Sequence, residues 1–247
     1  MEDFVKRRID REREEHTDSL DLRKLVLYSF PEMALELDWI KELDLSSDAI
    51  IDNRSALIDE EYWWEVSFDN NVIHTLPDSI SKLKKLEVIL LNQIELDQLP
   101  ESFGDLSNLR VLQLRNNSLR NLPKSFGLLK NLEYLDLSFN LFEEFPVEIL
   151  GCQNLKYLNI GSNKIKRIPP EINELFNLET FDFSNFNIKR AFPETIERFD
   201  LCNNDIRELP PEIGHLRRLE NIGFEGNNLN KDLYYFLSDG YKLYEWF

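Results

Sequence analysis

Cysteine is nearly missing from this 247-residue chain; there are two, Cys152 and Cys202. Two thiols cannot make the disulfide framework of a small secreted domain, so a reducing compartment and a cytoplasmic setting are expected. Long apolar runs are missing as well, which excludes a membrane-spanning helix. The opening Met1-Glu-Asp-Phe-Val-Lys-Arg-Arg8 has no apolar stretch and predicts no secretory signal. Histidine is scarce, with His16, His74 and His215 the three in the chain. No phosphate-cradling glycine motif and no H-E-x-x-H is present. Cations are few beside anions, 29 against 46, for a net charge of −17. A surface that acidic repels phosphate backbones and anionic lipid, so neither nucleic acid nor a membrane is an expected partner. It favours a protein partner with a basic patch.

What is abundant is periodic. Apolar residues make up 42% of the chain, enough for a packed core. The segment Leu109-Arg-Val-Leu-Gln-Leu-Arg-Asn-Asn-Ser-Leu119 is followed by Leu122-Pro123, Phe126 and Leu129. The same pattern returns from Leu132 and again from Leu155. Extended both ways, units start at Thr17, Ile40, Trp63, Leu86, Leu109, Leu132, Leu155, Leu178, Ile196 and Leu219. Eight of the nine intervals are 23 residues and one, from Leu178 to Ile196, is 18. Within each unit, positions four and six alternate with polar neighbours, the period of a strand. One short strand cannot bury its apolar face alone, but stacked copies make a parallel sheet over a continuous core. The proline then starts a return segment with a fixed φ, and Phe126 and Leu129 set one helical or 3₁₀ face inward.

This frame strongly resembles the leucine-rich repeat family, in its short 23-residue intracellular or bacterial type. The resemblance covers about residues 17–230 and implies an α/β fold. A horseshoe solenoid is expected, with a parallel β-sheet on the concave face and short helical, 3₁₀ or extended segments on the convex face. It also implies that the position-nine asparagines Asn71, Asn117, Asn140, Asn163, Asn204 and Asn227 form a buried ladder bonding neighbouring backbone. Leu25, Ile94 and Phe186 break that ladder, and Asp48 is a near substitute. The whole chain is similar to Ras-group-related repeat proteins, and the unit from Leu219 to the repeat preceding the nuclease in Ccr4-type deadenylases.

The expected division is an N-terminal helical cap at 1–16, ten repeats at 17–230 and an aromatic C-terminal cap at 231–247. Phe4, Val5 and Ile9 are the apolar contacts available to the helix. Seven of the last fourteen residues are aromatic; they plug the open core, or their free edge pairs with a second copy. A monomer is expected, with a dimer through that edge the alternative. Residues 51–61 keep the unit length but lose Leu-Pro, and an extended return is expected near residues 188–196.

Catalytic residues are not found. The histidines fall in separate units, Cys152 holds an inward apolar column, and Cys202 has no histidine to activate it. Gly104, Gly127 and Gly214 recur at one position and read as turn glycines. No metal or cofactor is expected, and the chain is read as a non-enzyme. Asp21, Asp44, Asp136, Asp182 and Asp200 occupy position five of the exposed strand face, as an acidic docking strip. A carboxylate pair there would suit a hydrolase, the weaker alternative.

The binding surface is expected on the same face. Position three runs Val88, Val111, Tyr134, Tyr157 through four consecutive units, apolar where water should reach. Leu90, Arg115 and Phe139 lie beside this stripe, Trp64 flanks it, and Asp136 and Asp182 line it. Aromatic and arginine clusters ringed by polar groups are what interface centres contain. Stacked tyrosines could equally stabilise neighbouring strands. The expected role is a protein-binding scaffold, with a regulatory module of a signalling or GTPase pathway as the alternative.

Overall fold

The computed structural model describes residues 2–47, 70–165, 169–182, 196–200 and 218–224. The apolar pairs at positions four and six place nine three-residue strands side by side. They are β1 (Ser19–Asp21), β2 (Glu42–Asp44), β3 (Val88–Leu90), β4 (Val111–Gln113), β5 (Tyr134–Asp136), β6 (Tyr157–Asn159), β7 (Thr180–Asp182), β8 (Arg198–Asp200) and β9 (Asn221–Gly223). All pair in parallel and in chain order, so the sheet never crosses itself. The middle residue of each strand from β1 to β8 points into the core: Leu20, Leu43, Ile89, Leu112, Leu135, Leu158, Phe181 and Phe199 are all buried. This is the open α/β solenoid of the leucine-rich repeat, with the strands on the concave side.

The return side is made of 3₁₀ turns, Glu32–Glu36, Asp78–Lys82, Glu101–Asp105, Lys124–Leu128, Val147–Gly151 and Pro170–Glu174. Each follows a proline held in extended backbone. The proline carbonyl accepts from the third residue of the turn, as from Phe103 at 3.0 Å and Phe126 at 2.9 Å. That same residue points inward and is buried. The turns also pack against one another. A Cβ on Gly104 would lie 2.2 Å from the carbonyl oxygen of Ser125. The glycine thus answers crowding between neighbouring turns, not a need for left-handed backbone.

The N-terminal helix α1 (Glu2–Glu15) closes one end. Val5 and Ile9 are buried against the first unit, and Phe4 is partly buried there. Glu12 on the same helix is 4% exposed. Its carboxylate accepts from Thr17 N–H at 3.2 Å, Asp18 N–H at 3.1 Å, Trp39 Nε1–H at 3.1 Å and the Thr17 hydroxyl. Four donors on one buried anion tie α1 to the turn that opens the sheet.

The expected count of ten units is corrected by the sheet itself. β2 pairs directly with β3, Glu42 opposite Val88, Leu43 opposite Ile89 and Asp44 opposite Leu90. No strand from a unit opened at Trp63 stands between them. The unit begun at Ile40 runs to Ser47 and resumes at Asn71, and residues 48–70 add one repeat length between its positions eight and nine.

Asn71 proves the splice. In a regular unit Asn117 donates to Leu91 O at 2.7 Å and to Leu114 O at 3.0 Å. Its Oδ1 accepts from Ile94 N–H at 3.1 Å and Leu96 N–H at 3.0 Å. Asn71 makes the same set with the strands that flank it in space. It donates to Leu22 O at 2.9 Å and Leu45 O at 2.8 Å, and accepts from Leu25 N–H at 3.1 Å and Leu27 N–H at 3.0 Å. The ladder place of this unit therefore belongs to Asn71, not to Asp48. Asn140 and Asn163 continue the ladder, donating to Leu114 O at 2.9 Å and Leu137 O at 3.0 Å.

Where Ile94 breaks the ladder, its own carbonyl accepts from Ile73 N–H at 2.7 Å, and position seven adds side-chain bonds between the strands. Asn92 is buried; its N–H donates to Ser46 Oγ at 3.1 Å and its Nδ2 to Gln113 Oε1 at 2.8 Å. Across the short interval, Thr180 of β7 stays opposite Arg198 of β8. Asp48, Trp64, Phe186, Cys202, Asn204, His215, Asn227, residues 51–61, the return at 188–195 and the aromatic end at 231–247 lie outside the described residues.

Candidate functional site

The sheet face away from the core carries the candidate site. Val88, Val111, Tyr134 and Tyr157 sit opposite one another in register on β3 to β6. All four are half-buried. The tyrosine rings lie flat on each other, with centroids 4.2 Å apart and planes 1° from parallel. Burial pushes both phenols up from their ordinary range, with the Asp136 charge adding to the effect. Leu90 and Gln113 continue the patch at position five.

Arg115 and Phe139 stand beyond the strand ends. The Arg115 guanidinium lies 4.6 Å from the centre of the Phe139 ring, a cation–π contact. Phe139 is 47% exposed. Its φ is 55°, in the left-handed region. Position eight adopts this turn repeatedly, at Lys24 (φ 54°), Gln93 (58°), Asn116 (56°) and Ser162 (55°). Asparagine tolerates that backbone; a large aromatic does so at a cost of about 1 kcal/mol.

The acidic strip is corrected. Asp136 is 7% exposed and Asp44 8%. Asp136 Oδ1 accepts from Ser138 N–H at 2.9 Å and the Ser138 hydroxyl at 2.6 Å. Asp44 accepts from Ser46 N–H, Asp21 from Arg23 N–H and Asn159 from Gly161 N–H, each at 2.9 Å. Position five therefore caps the turn two residues on in four units, a local Asx device. Desolvation pushes Asp136 upward, and Asp44 to about 6. Asp182 faces Asp200 across β7 and β8 by register and is partly exposed, one strand beyond Tyr157. Val88, Leu90, Val111, Arg115, Tyr134, Phe139 and Tyr157 thus form one patch. Asp136 lies beneath it and Asp182 at its edge, and Trp64 is outside the described residues.

A second polar row was not foreseen. At the N-terminal rim of the strands, Asn108, Asn131, Asn154 and Asn177 donate to Lys84 O, Ser107 O, Lys130 O and Gln153 O at 2.8–2.9 Å. Arg110, Glu133 and Lys156 form ion pairs beside them, both at 2.7 Å. These pairs pull the Glu133 carboxyl below its usual range. A groove of about 530 Å³ runs between the two rows. The asparagine before the first leucine of four consecutive units, from Leu109 to Leu178, repeated every 23 residues, was the available signal.

Elsewhere the titratable groups are structural. His16 stacks on Trp39 at 4.6 Å, and His74 Nδ1 lies 3.2 Å from Asp97. Cys152 is buried, which pushes its thiol up to about 12. Among the described residues no group of three His, Cys, Asp or Glu side chains could hold a metal ion.

Known proteins place this geometry. A family model described as leucine rich repeat matches residues 97–142, and a second matches 154–175 and 195–216. No curated protein matches the chain. Among solved structures, the plant peptide hormone receptor RGFR1 in complex with RGF2 is similar at 27% identity and a TM-score of 0.61. The likeness covers 85% of this chain and 32% of that one. The ectodomain of the Arabidopsis thaliana receptor kinase GASSHO1/SCHENGEN3, in complex with CASPARIAN STRIP INTEGRITY FACTOR 2, is 22% identical with a TM-score of 0.60, over 85% and 27%. TLR13 in its ssRNA13 complex is 20% identical with a TM-score of 0.64, over 86% and 31%. This chain spans about a third of the length of these structures.

Proposed function

This chain is a leucine-rich repeat protein, and on that premise we propose that it is a non-enzymatic scaffold that grips a partner protein through the β3–β6 face. One observation carries the reading. Phe139 keeps an unfavourable left-handed backbone, is 47% exposed, and holds Arg115 over its ring beside the tyrosine stack. None of these groups faces the core, so folding alone does not account for their being there. RGFR1, 27% identical to this chain, was solved with RGF2 bound, which supports a peptide or protein ligand. The net charge of −17 favours a partner whose surroundings are basic and disfavours nucleic acid. The buried, unpaired Cys152 thiol supports a cytoplasmic setting.

Affinity capture from the native host tests the proposal, with two variants as controls. Y134A/Y157A loses a ring stack that contributes about 0.5–1.5 kcal/mol beyond the area the two half-buried rings cover, so stability should fall by that modest amount, while the captured partner binds at least tenfold less. F139N places asparagine where Asn116 already adopts the same backbone; it should hold or raise stability and still weaken capture. If binding falls only in step with stability in both variants, the patch serves the fold and the proposal fails.

A further inference from the structure

We propose that the occupant of this face is an amphipathic α-helix of a partner protein, lying across β3 to β6. It carries Leu, Phe or Tyr at i, i+3, i+4 and i+7, and Lys or Arg at both ends. This rests on the binding reading above and adds the shape and chemistry of the ligand.

The patch is as wide as it is long. Across the strands, Val88, Val111, Tyr134 and Tyr157 stand in register on four neighbours, and three strand intervals span about 14 Å. Along the strands, Arg115 comes four residues after Val111 and Phe139 five after Tyr134. Four extended residues rise about 13 Å, so the tyrosine stack forms one border and the Arg115–Phe139 pair the other. Between the borders Asp136, Ser138 and Asn159 are buried, so no open polar ground divides the two. A single extended segment covers a strip about 4.8 Å wide; it would meet one border and leave the other in water. A helix is about 10–12 Å across with its side chains and meets both. Over 14 Å it runs about nine residues, room for the four anchors of a helix seated in a groove.

Charge sets the ends of the helix. Within the patch, the Arg115 charge acts on the neighbouring Asp136 carboxylate, so the middle is balanced. The rim beside it reads Glu87, Arg110, Glu133 and Lys156, two acids and two bases. Acids stand where the apolar stripe stops. Glu42 of β2 is opposite Val88, and Asp182 of β7 is opposite Asn159; both are partly exposed. Five strand intervals separate β2 from β7, about 24 Å. A 14-residue helix is about 21 Å long, and terminal lysine side chains cover the difference. An apolar middle with cations at both ends therefore matches the face, and acidic ends would be repelled.

The test uses three labelled peptide pools, Φ being an equal mixture of Leu, Tyr and Phe. The first, Lys-Lys-Ala-Φ-Ala-Gln-Φ-Φ-Ala-Gln-Φ-Ala-Lys-Lys, sets its apolar sites on one helical face. The second, Lys-Lys-Ala-Φ-Ala-Φ-Gln-Φ-Ala-Φ-Gln-Ala-Lys-Lys, has the same composition with those sites alternating as in a strand. The third is the first with Glu for every Lys. Fluorescence polarisation is read on the full chain and on its F139N and Y134A/Y157A variants, each first shown to be folded by circular dichroism. The first pool should bind at least tenfold more tightly than the second or the third, and should gain helix on binding. Both variants should weaken it, because a helix touches both borders. Equal binding of the first two pools, or weakening by Y134A/Y157A but not by F139N, would overturn the helix and leave the binding face standing. A third pool as tight as the first overturns the basic ends. First-pool binding indifferent to both variants, with host capture indifferent as well, overturns both readings. No binding by any pool overturns the helix, and host capture with the same variants still decides the binding reading. Tighter binding of a peptide copying residues 241–247 than of the first pool would make the occupant this chain's own end, in the same molecule or a second copy, and overturn the assignment to a separate partner.

Discussion

Removing residues 48–70 should leave the repeat stack intact. The cut joins Ser47 to Asn71, and the result reads Ile40-Lys-Glu-Leu-Asp-Leu-Ser-Ser47 followed by Asn71-Val-Ile73. That restores the repeat pattern with its asparagine at position nine. The ends to be joined are already neighbours, since the Ser47 hydroxyl donates to Asn71 O at 3.2 Å. β2 and β3 are already paired, and Asn71 already bonds the strands of the joined unit. Closing a loop of 23 residues costs about 3 kcal/mol of entropy. The shortened chain should therefore match the full one in stability or exceed it by up to about 3 kcal/mol. Urea unfolding followed by circular dichroism gives the answer, with linear extrapolation to water. A cut of equal length and phase at residues 117–139 is the control. It removes β5 with the fully buried Phe126, Leu129, Leu132, Leu135 and Leu137, and should lower both stability and the slope m. If the cut at 48–70 abolishes cooperative unfolding, or costs more than about 2 kcal/mol, the splice is wrong.

Two further outcomes follow from the hydrogen bonds and charges. Asn117→Ala orphans the Ile94 and Leu96 amides and the Leu91 carbonyl, while Leu114 O keeps its bond from Asn140, so chemical unfolding should register a loss of about 2–4 kcal/mol, and Asn71→Ala should lose a similar amount. Asp44 is held at about 6 by burial, against an ordinary 3.8. The folded chain thus binds that proton more tightly than the unfolded chain, and the stabilisation present below about pH 4 is lost as pH rises to about 6. The difference in stability between the unchanged chain and Asp44→Asn should change across that window and flatten outside it; a pH-independent difference would refute the assignment.

Much of the fold was legible in the residue columns. Alternation at positions four and six marks the strands, proline marks the return, and Asn at nine marks the ladder. The one-unit excess has a physical cause. An addition of 23 residues keeps every later apolar position in phase, so periodicity alone cannot tell a new unit from an interruption of an old one. The loss of Leu-Pro in residues 51–61 was the visible trace. The stripe from Val88 to Tyr157 was legible because period-two alternation assigns faces. Depth on that face was not, because it depends on local turns. Asp44-Leu-Ser46 and Asp136-Leu-Ser138 share a spacing that bends the carboxylate onto the next turn. The same Asp in a longer loop would have stayed open to solvent.

The rim charges carry an independent argument for the splice. Position two reads Asp18, Lys41, Trp64, Glu87, Arg110, Glu133, Lys156, Glu179 along the chain. With Trp64 in the row, the alternation of sign is broken. Without it the order is acid, base, acid, base, acid, base, acid. That is the order in which the backbones meet: Lys41 N–H bonds Asp18 O, Glu87 N–H bonds Lys41 O and Arg110 N–H bonds Glu87 O, all at 2.7–2.8 Å. Lys41 Nζ lies 2.7 Å from Asp18, and the Glu87 charge joins Asp18 in raising the Lys41 pKa. Exposed pairs of this kind contribute little each, at most about 1 kcal/mol. Their weight lies in exclusion, since like charges opposite one another on neighbouring strands destabilise. A strand slipped by one unit would set Lys41 beside another cation or Glu87 beside another acid. From β1 to β7 the alternating row thus favours the neighbour each strand has, and it does so only if β3 follows β2.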